Sequence, residues 1–524
     1  MIAQSARGVV CTPEPQATEA GLDILDAGGS AAEAVLAASA TLAVTYPHMT
    51  GLGGDAIWLL SDGARVQVVS GIGQAGTRLP EAGIITERGP SSAATTAGAL
   101  RSWSLVYKMT ALDTGLQIPW PRLLERPIEL ARKGVPVSAS HAFWADYRKD
   151  LVAQCPDLQR LCCDPNGELL PIGSLLKRPD LARTLEQIGR AGPDDFYDGE
   201  LSRELGTGLE RLGTGLSRRD LAATKAYLKE PARIRYRNGW LYNAPPPTQG
   251  IYTLAALNSL NNFDLRAMGA GSSSYYHSLV EAIKLQLVRR NQELCDPRVE
   301  TFDWRHRLSE SQGREDSARI DTQKARPWPE VGQPADTVWL AASDSRGRTA
   351  CLLQSLFHDF GSGCCAGDTG VLWLNRAASF NPAQSHPNAW RPGKRPAHTL
   401  NPSAWLSDDG EQFYFGTQGG DGQPQTQMVL ATQLIDFRHS LEEALLAPRF
   451  LLGRSFFGAR DNLKLEKNLG AATGVLLSKL GHEVEWVQPL SPIMGEAGII
   501  HIDASGQKAA SHDPRGAGTA LGQV

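Results

Sequence analysis

The sequence predicts an α+β fold, in which helices and strands are mixed without the strict alternation of a doubly wound sheet. Two observations carry this prediction. A pair of consecutive helical patterns lies near the N-terminus, and a hairpin of two apolar strands follows residue 336. The chain has 524 residues, which is long enough to bury a large apolar interior.

The first helical pattern covers residues 16–43 and is interrupted by Gly28 and Gly29, which are typical residues at a helix end. Ser30 is a good N-cap for a second helix, AAEAVLAASATLAV, which is apolar almost all round and therefore predicted to be buried. A glycine-rich turn and a strand follow, in PHMTGLGGDAIWLL.

The middle of the chain is mostly helical by pattern. We predict a helix within residues 119–135, several short helices in 165–230, and an amphipathic helix over 273–293. The tract PPPTQG, residues 245–250, is predicted to be a rigid loop because proline fixes its own φ and restrains the residue before it.

Residues 304–335 are charged and poor in aliphatic side chains, which predicts an exposed linker with one short helix. The pattern then changes abruptly. Apolar strands are predicted over 337–343 and 349–357, joined by the turn DSRG. Later strands are predicted over 371–374, 412–416 and 499–502.

Composition excludes several classes of protein. The formal charge is -4, from 52 basic and 56 acidic residues, so a strongly basic nucleic-acid-binding surface is excluded. We find no run of about 18 apolar residues, so no membrane span is expected. The first residues lack the apolar core of a secretory signal, and we therefore expect a cytoplasmic protein.

Motifs for cofactors and metals are weak. The eight cysteines form no CxxC pair, and the eleven histidines form no i,i+4 pair on a predicted helix. The stretch 51–54 lacks the later glycine of a dinucleotide fingerprint and follows a helix instead of a strand. We therefore predict no cofactor and no metal site.

The junction between Asp336 and Thr337 is the strongest chemical signal, because a polar segment there runs directly into a buried strand. If the chain were cut at this junction, Thr337 would carry both a hydroxyl and a free α-amine with a pKa near 8. A threonine nucleophile with its own amine as base is an established arrangement. Taken alone, however, a threonine at the start of a strand usually has only a structural role.

Several blocks of sequence, in order, resemble the γ-glutamyltranspeptidase family of N-terminal nucleophile hydrolases. They are the block GLDILDAGGSAAEAVLAASATLAVTYPHMTGLGGDA, the PPPTQG loop, the junction before Thr337, GTQGGDG at 416–422, APRF at 447–450 and DPRGAG at 513–518. The resemblance implies a four-layer αββα sandwich. It also implies autocatalytic cleavage before Thr337 into a large subunit, 1–336, which ends in the linker 304–336, and a small subunit, 337–524; both build one αββα unit.

The resemblance also implies roles for individual residues. Thr337 would attack the Asp336 carbonyl during cleavage and the substrate amide afterwards. Ser355 matches a family threonine that hydrogen-bonds near the nucleophile. Gly419 and Gly420 match a pair whose backbone N–H groups stabilise the oxyanion.

The family's pocket for a free amino acid is altered in this sequence. Where the family uses Asn, Gln and Asp side chains to hold an ammonium group, the matching residues are Phe357, Arg376 and Ser379. The family's carboxylate-binding arginine falls at Ile72, and two adjacent serines become His398 and Thr399. A cation in place of the acidic acceptor would repel an ammonium group and bind a carboxylate.

We therefore predict a short carboxylate-bearing amide as substrate, bound by Arg376, His398 and Thr399 in a pocket narrowed by Phe357. The smallest such molecule is oxamate, and the chain resembles the oxamate amidohydrolase branch of the family, which acts in purine and allantoin breakdown. The products would be oxalate and ammonia.

Three alternatives remain open. A γ-glutamyltransferase or glutathione hydrolase would need an acidic acceptor at Ser379, whereas a cephalosporin or glutaryl acylase would need a larger pocket. The third alternative is a non-enzymatic relative that is never cleaved. The expected partners are the anionic amide and the two fragments of the same chain; a homodimer is left open.

Overall fold

The computed structural model describes residues 2–114, 117–329, 336–455 and 458–524. Its strands are β1 Ala3–Ser5, β2 Val9–Thr12, β3 Asp55–Ser61, β4 Val66–Gly71, β5 Val135–Pro136, β6 Leu175–Leu176, β7 Tyr227–Lys229, β8 Ala232–Tyr236, β9 Gly239–Asn243, β10 Asp336–Ser343, β11 Thr349–Phe357, β12 Ser403–Ser407, β13 Gln412–Thr417, β14 Phe450–Ser455, β15 Gly458–Glu466, β16 Val484–Val487, β17 Ala497–Ile502, β18 Lys508–His512 and β19 Thr519–Gly522.

The helices are α1 Pro15–Asp26, α2 Ala31–Thr45, α3 Ala99–Thr114, α4 Trp120–Lys133, α5 Ala139–Tyr147, α6 Lys149–Gln154, α7 Pro156–Cys162, α8 Pro179–Ala191, α9 Asp195–Asp198, α10 Glu200–Arg211, α11 Arg218–Ala222, α12 Gly250–Leu260, α13 Leu265–Met268, α14 Ser273–Glu293, α15 Trp304–Arg307, α16 Glu310–Ala318, α17 Gln423–Ala431, α18 Leu441–Leu446 and α19 Ala471–Leu480. None of those within the described ranges combines the length and apolar character needed to cross a bilayer.

Two antiparallel sheets of seven strands form the centre of the fold. Sheet I has the order β1-β18-β17-β13-β12-β9-β8, and sheet II has the order β19-β2-β10-β11-β3-β4-β7. Strands from the first and last parts of the sequence lie side by side in both sheets, so the segments before and after residue 336 build one unit.

Three apolar cores lie between the layers, and alternate side chains of β10 point into two of these cores. Val338 and Leu340 face a helix layer that includes α2 and α3. Trp339 and Ala341 face the opposite way, into the core between the two sheets. A third core lies between sheet I and the helices α12, α14 and α17. This alternation, with a period of two residues, confirms the predicted αββα sandwich.

The two N-terminal helices are confirmed. Ser30 and Glu33 form a reciprocal capping box at the start of α2, and every residue of α2 is buried. Gly28 adopts a φ of 85°, which suits a glycine at the end of α1.

The hairpin of β10 and β11 is also confirmed, and its register is irregular near Thr337. Asp336 pairs with Phe357, whereas Val338 pairs with Gln354, so Thr337 lies opposite residues 355–356 at a bulge. Bulges of this kind redirect a side chain at the end of a strand.

A close contact between the two sheets fixes the strand that carries Thr337. Trp339 from sheet II is fully buried against Gly416 and Gly498, which are paired across sheet I. A Cβ atom on either glycine would lie about 2 Å from the indole ring, so both positions need glycine.

Two sequence predictions need correction. Residues 371–374 do not form a strand; Leu372 and Trp373 make only isolated bridges. The predicted exposed linker contains two helices, α15 and α16, and α16 is partly packed, because Asp316 is buried in an ion pair with Arg289. Residues 330–335 of that linker lie outside the described residues.

Candidate active site

Thr337 lies at the start of β10, buried between the layers of the sandwich. The side-chain amide of Gln423 donates a hydrogen bond to its hydroxyl at 3.4 Å. Ser355 lies opposite on β11, and its hydroxyl accepts a hydrogen bond from the Phe357 N–H at 2.7 Å. The predicted nucleophile and its predicted neighbour are therefore brought to one end of the hairpin.

The glycine pair lies in the loop between β13 and α17. Gly419 and Gly420 have φ values of 110° and 49°, a left-handed conformation that favours glycine. No acceptor in the described part of the chain takes a hydrogen bond from either of their N–H groups. Gln423, the first residue of α17 directly after this loop, contacts Thr337, so the two backbone donors lie in the segment next to the nucleophile.

A buried ion pair holds this loop in place. Arg290 of α14 donates to both carboxylate oxygens of Asp421, at 2.6 and 2.8 Å. Gln249, from the PPPTQG loop, accepts from Arg290 at 2.8 Å and donates to the carbonyls of Gly420 and Thr399, each at 2.9 Å. Bidentate pairs of this geometry fix both position and orientation.

Arg376 is a second buried arginine on this side of the loop, and its surroundings differ from those of Arg290. It is 1% exposed, and among the described residues no carboxylate lies within ion-pair distance of its guanidinium group. Its two terminal nitrogens lie 3.4 Å from the Thr399 hydroxyl, and its Nε has no acceptor. Burial lowers the pKa of Arg376 to about 9, a shift that the more distant Asp55 opposes.

Phe357 supports Arg376 from one side. The guanidinium carbon lies 3.8 Å from the centre of the Phe357 ring, whose other neighbour is His358, stacked at 4.1 Å. Phe357 has a φ of 87°, which costs a bulky residue about 1–3 kcal/mol. The contact between the Arg376 cation and the Phe357 ring, shielded from water, contributes about 2 kcal/mol of stabilisation, which offsets this backbone strain.

His398 is fully committed to hydrogen bonds within the protein. Its Nε2 lies 3.1 Å from Asp55, and its Nδ1 accepts from the Leu400 N–H at 3.3 Å. Burial, together with the positive charge of Arg376, lowers the pKa of His398 to about 4, while Asp55 opposes the shift, so the ring is neutral at pH 7. In this arrangement His398 positions Asp55, whose other oxygen accepts from the N–H groups of Gly73 and Gly98.

A cavity of about 240 Å³ lies beside these groups; we call it the anion cavity. Four of the five residues predicted to bind substrate line it, namely Phe357, Arg376, His398 and Thr399. The fifth prediction is not supported, because Ile72 is buried in the apolar core between the sheets and does not line the cavity. Ile72 directly follows β4, so the register of that strand determines that its side chain faces the core between the sheets.

The carboxylate that lines the anion cavity, in the described part of the chain, is Asp421, and Arg290 already neutralises it. Ser379 also lines the cavity, and its hydroxyl donates to the carbonyl of Arg376 at 2.8 Å, with the carbonyl of Ala397 an alternative acceptor at 3.2 Å. Among the described residues that line it, the cavity therefore offers the positive charge of Arg376 without a carboxylate partner, and its one carboxylate is paired with Arg290.

Sequence reasoning missed several residues of the site, namely Asp55, Gln249, Arg290, Asp421 and Gln423. Gln249 could have been found, because it lies in the quoted PPPTQG motif. Arg290 and Gln423 carry no such signal, since an arginine or glutamine on a helix is usually a surface residue.

A second cluster of titratable groups lies away from the site. His277, Glu281 and His482 have ligand atoms within 4.8 Å of one another. Their nitrogens already form a hydrogen-bonded chain, in which Lys284 contacts His482, His482 contacts His277 at 2.8 Å, and His277 contacts the Asp321 carbonyl at 2.7 Å. The ring nitrogens of both histidines are therefore engaged in hydrogen bonds within the protein.

Comparison with known proteins gives a consistent result. The family model for gamma-glutamyltranspeptidase matches residues 17–523. The chain is 37% identical to an oxamate amidohydrolase proenzyme of Klebsiella pneumoniae over 99% of both chains, and 34% identical to a glutathione hydrolase-like proenzyme of Bacillus subtilis over 98% of both. Among solved structures, a cephalosporin acylase from Bacillus halodurans superimposes with a TM-score of 0.90 and 27% identity, covering 100% of this chain and 97% of that one.

Proposed function

Since this chain belongs to the gamma-glutamyltranspeptidase family of hydrolases, we propose that it cleaves itself before Thr337 and then hydrolyses a small carboxylate-bearing amide. Oxamate is the preferred candidate. The relative from Klebsiella pneumoniae, which matches over the whole chain, is named for the same substrate.

The observation that carries the proposal is the environment of Arg376. A buried guanidinium group with no carboxylate partner has lost its hydration without an ionic replacement. A substrate carboxylate would supply that replacement through the two terminal nitrogens, which now have only the Thr399 hydroxyl as a distant acceptor.

Cleavage of the chain would use the groups around Thr337. The hydroxyl attacks the carbonyl carbon of residue 336, the C–N bond breaks as an ester forms, and water then releases residues 1–336 from 337–524. The new α-amine of Thr337 becomes the base for later turnovers.

Substrate hydrolysis then follows in two steps. The Thr337 hydroxyl attacks the amide carbon, its proton passes through the α-amine to the departing nitrogen, and an acyl ester of Thr337 remains. The N–H groups of Gly419 and Gly420 stabilise the oxyanion in this step, each contributing roughly 3 kcal/mol. Water attacks the ester in the second step and releases the carboxylic acid.

Two other activities are known among the relatives. A glutathione hydrolase binds a free amino acid group, and the anion cavity lacks a free carboxylate for its ammonium, so the geometry disfavours this activity. A cephalosporin or glutaryl acylase is the second candidate, because Arg376 could also hold the carboxylate of a longer acyl group and the Bacillus halodurans acylase has the same fold.

The test is a substrate panel with processed enzyme. We expect ammonia release from oxamate at a kcat/KM at least tenfold above that for neutral oxamide, glutaryl amides and γ-glutamyl-p-nitroanilide. Preference for a glutaryl amide would favour the acylase, and equal rates on oxamate and oxamide would contradict the role of Arg376.

A further inference from the structure

A buried polar cluster on α14 holds the last part of the linker against the rest of the protein; we call it the linker anchor. It consists of His277, Glu281 and Lys284 of α14 and of His482, which follows α19. Lys284 and Glu281 form an ion pair at 2.9 Å, and their side chains are 3% and 2% exposed. The other contacts of the cluster go to linker residues 321–326, upstream of the proposed cleavage junction.

The ion pair binds the backbone of one linker residue. Lys284 donates to Glu281 at 2.9 Å, to the Arg326 carbonyl at 2.6 Å, and to Nδ1 of His482 at 3.4 Å. The second carboxylate oxygen of Glu281 accepts from the Arg326 N–H at 3.0 Å. All three ammonium donors of Lys284 are therefore used, and both backbone groups of Arg326 are paired.

The two histidines extend the anchor to Asp321. A carbonyl only accepts, so Nε2 of His277 donates to the Asp321 carbonyl at 2.7 Å. An ammonium group only donates, so Nδ1 of His482 accepts from Lys284, and Nε2 of His482 donates to Nδ1 of His277 at 2.8 Å. Burial, with the neighbouring Lys284 and His277, lowers the pKa of His482 to about 3, so its ring is neutral at pH 7. The chain of donors ends on the linker backbone.

Two further contacts continue the anchor toward the junction. The Ala325 N–H donates to the Leu480 carbonyl at 2.7 Å, and the indole N–H of Trp328 donates to Asp461. Trp328 lies eight residues before residue 336, whereas Ile320, which belongs to the apolar core, lies 16 residues before it. The anchor thus halves the length of chain between the last core residue and the junction.

Helix α14 also holds the other side of the active site. Its residue Arg290 forms the ion pair with Asp421 that fixes the loop between β13 and α17. The linker and the loop with the proposed oxyanion donors are therefore attached to the same helix. Groups attached to one helix keep a more precise relative position than groups attached to loops.

Building on the proposed self-cleavage, we propose that the linker anchor positions the bond before Thr337 for cleavage. Lys284, Glu281 and Trp328 are its positioning residues; they act before turnover and do not touch the substrate. The probability that a flexible tether closes falls roughly with the three-halves power of its length. Lengthening the free chain from eight to 16 residues should therefore slow cleavage about threefold.

The test follows cleavage on denaturing gels during cell-free synthesis of the full chain. Lys284→Met combined with Trp328→Phe removes the ion pair and the indole donor, and we expect cleavage to slow at least threefold. The matched control combines Lys324→Met with Trp304→Phe. These two linker side chains form no hydrogen bond or ion pair with any described residue, so the control should be cleaved at the rate of the unaltered chain.

A second pair of substitutions changes the linker and leaves the buried ion pair intact, in case Lys284→Met does not fold. Arg326→Pro with Trp328→Phe removes the N–H that donates to Glu281 together with the indole N–H, and should also slow cleavage at least threefold. Its control is Lys324→Pro with Trp304→Phe, because the Lys324 N–H has no acceptor among the described residues.

The cleaved fraction of each variant gives the readout that a loss of stability alone would not produce. We expect its kcat/KM for oxamate to stay within twofold of the unaltered enzyme. If the altered chains are cleaved at the unaltered rate, the anchor only stabilises the fold and the inference is wrong. It is also wrong if kcat/KM of the cleaved fraction falls as much as the cleavage rate. If the unaltered chain is neither cleaved nor active on any amide, the proposed function itself is wrong.

Discussion

Arg290 and Arg376 line the same cavity, yet their electrostatic environments are opposite. Arg290 is held by two hydrogen bonds to Asp421, whereas Arg376 has an aromatic ring below it and a single hydroxyl at 3.4 Å. The first arrangement resembles a structural ion pair, and the second leaves a charge to be neutralised by something that enters the cavity. Burial of an arginine alone therefore does not reveal its role; its partner does.

The two arginines are also held in place by different contacts. The Arg290–Asp421 pair fixes the glycine loop, and Phe357 fixes the guanidinium of Arg376. Burying the Arg376 guanidinium without a counterion costs free energy, and a carboxylate bound in the anion cavity would offset that cost.

The largest effect should come from removing the nucleophile while both arginines stay in place. We expect Thr337→Ala to remain a single chain of 56.5 kDa and to lose activity by roughly 10³-fold or more. Denaturing gels and ammonia release measure the two effects. A variant that is cleaved and active would show that the chemistry depends on another residue.

Replacing Arg376 should weaken substrate binding without lowering the stability of the fold. We expect Arg376→Met to lower kcat/KM for oxamate by roughly 100-fold, because a charged hydrogen-bonded contact contributes about 2–3 kcal/mol. Chain cleavage and the free energy of unfolding should not fall, since the variant removes a desolvated charge. Unchanged kcat/KM would mean that Arg376 does not bind substrate.

Replacing Arg290 should have the opposite pattern. Arg290→Met leaves Asp421 buried without its partner, which costs about 3 kcal/mol or more of stability. Denaturant unfolding of the two methionine variants side by side is the measurement. If both lose the same stability, the distinction between the two arginines is wrong.

A smaller effect is expected from Gln423. Its amide donates to the Thr337 hydroxyl, and its own Oε1 is buried without a donor. We expect Gln423→Leu to lower kcat about tenfold with little change in KM, because the contact orients the nucleophile without touching the substrate carboxylate. A change in KM alone would contradict this positioning role.

The smallest effect concerns Glu496, a buried acidic residue directly before β17. Its pKa is raised from an ordinary value of 4.5 to about 7, so the folded state binds its proton more tightly than the unfolded state does. This stabilisation is fully present below pH 4.5 and is lost as the pH rises through 7. Glu496→Gln should therefore raise the melting temperature by a few degrees more at pH 8 than at pH 5. An equal change at both pH values would show that Glu496 is not held in this environment.

The sequence alone determined the fold class and the position of the proposed nucleophile. Local patterns suffice for the fold class, because the capping residue Ser30, the glycine stop of α1 and the alternating apolar residues of β10 and β11 act on neighbours close in the chain. The role proposed for Thr337 came from the resemblance to the family, not from the local pattern. The family motifs added the glycine loop and four of the five residues that were expected to bind substrate and do line the anion cavity.

Only the tertiary structure decided which of these charges are paired. Asp421 meets Arg290 from 131 residues away, and His398 meets Asp55 from 343 residues away, so no local pattern identifies either pair. Ile72 was misplaced for the same reason, since the register of the strand before it decides whether its side chain faces the cavity or the core. The energy of a buried charge depends on the groups that surround it in space, and chain folding alone brings those groups together.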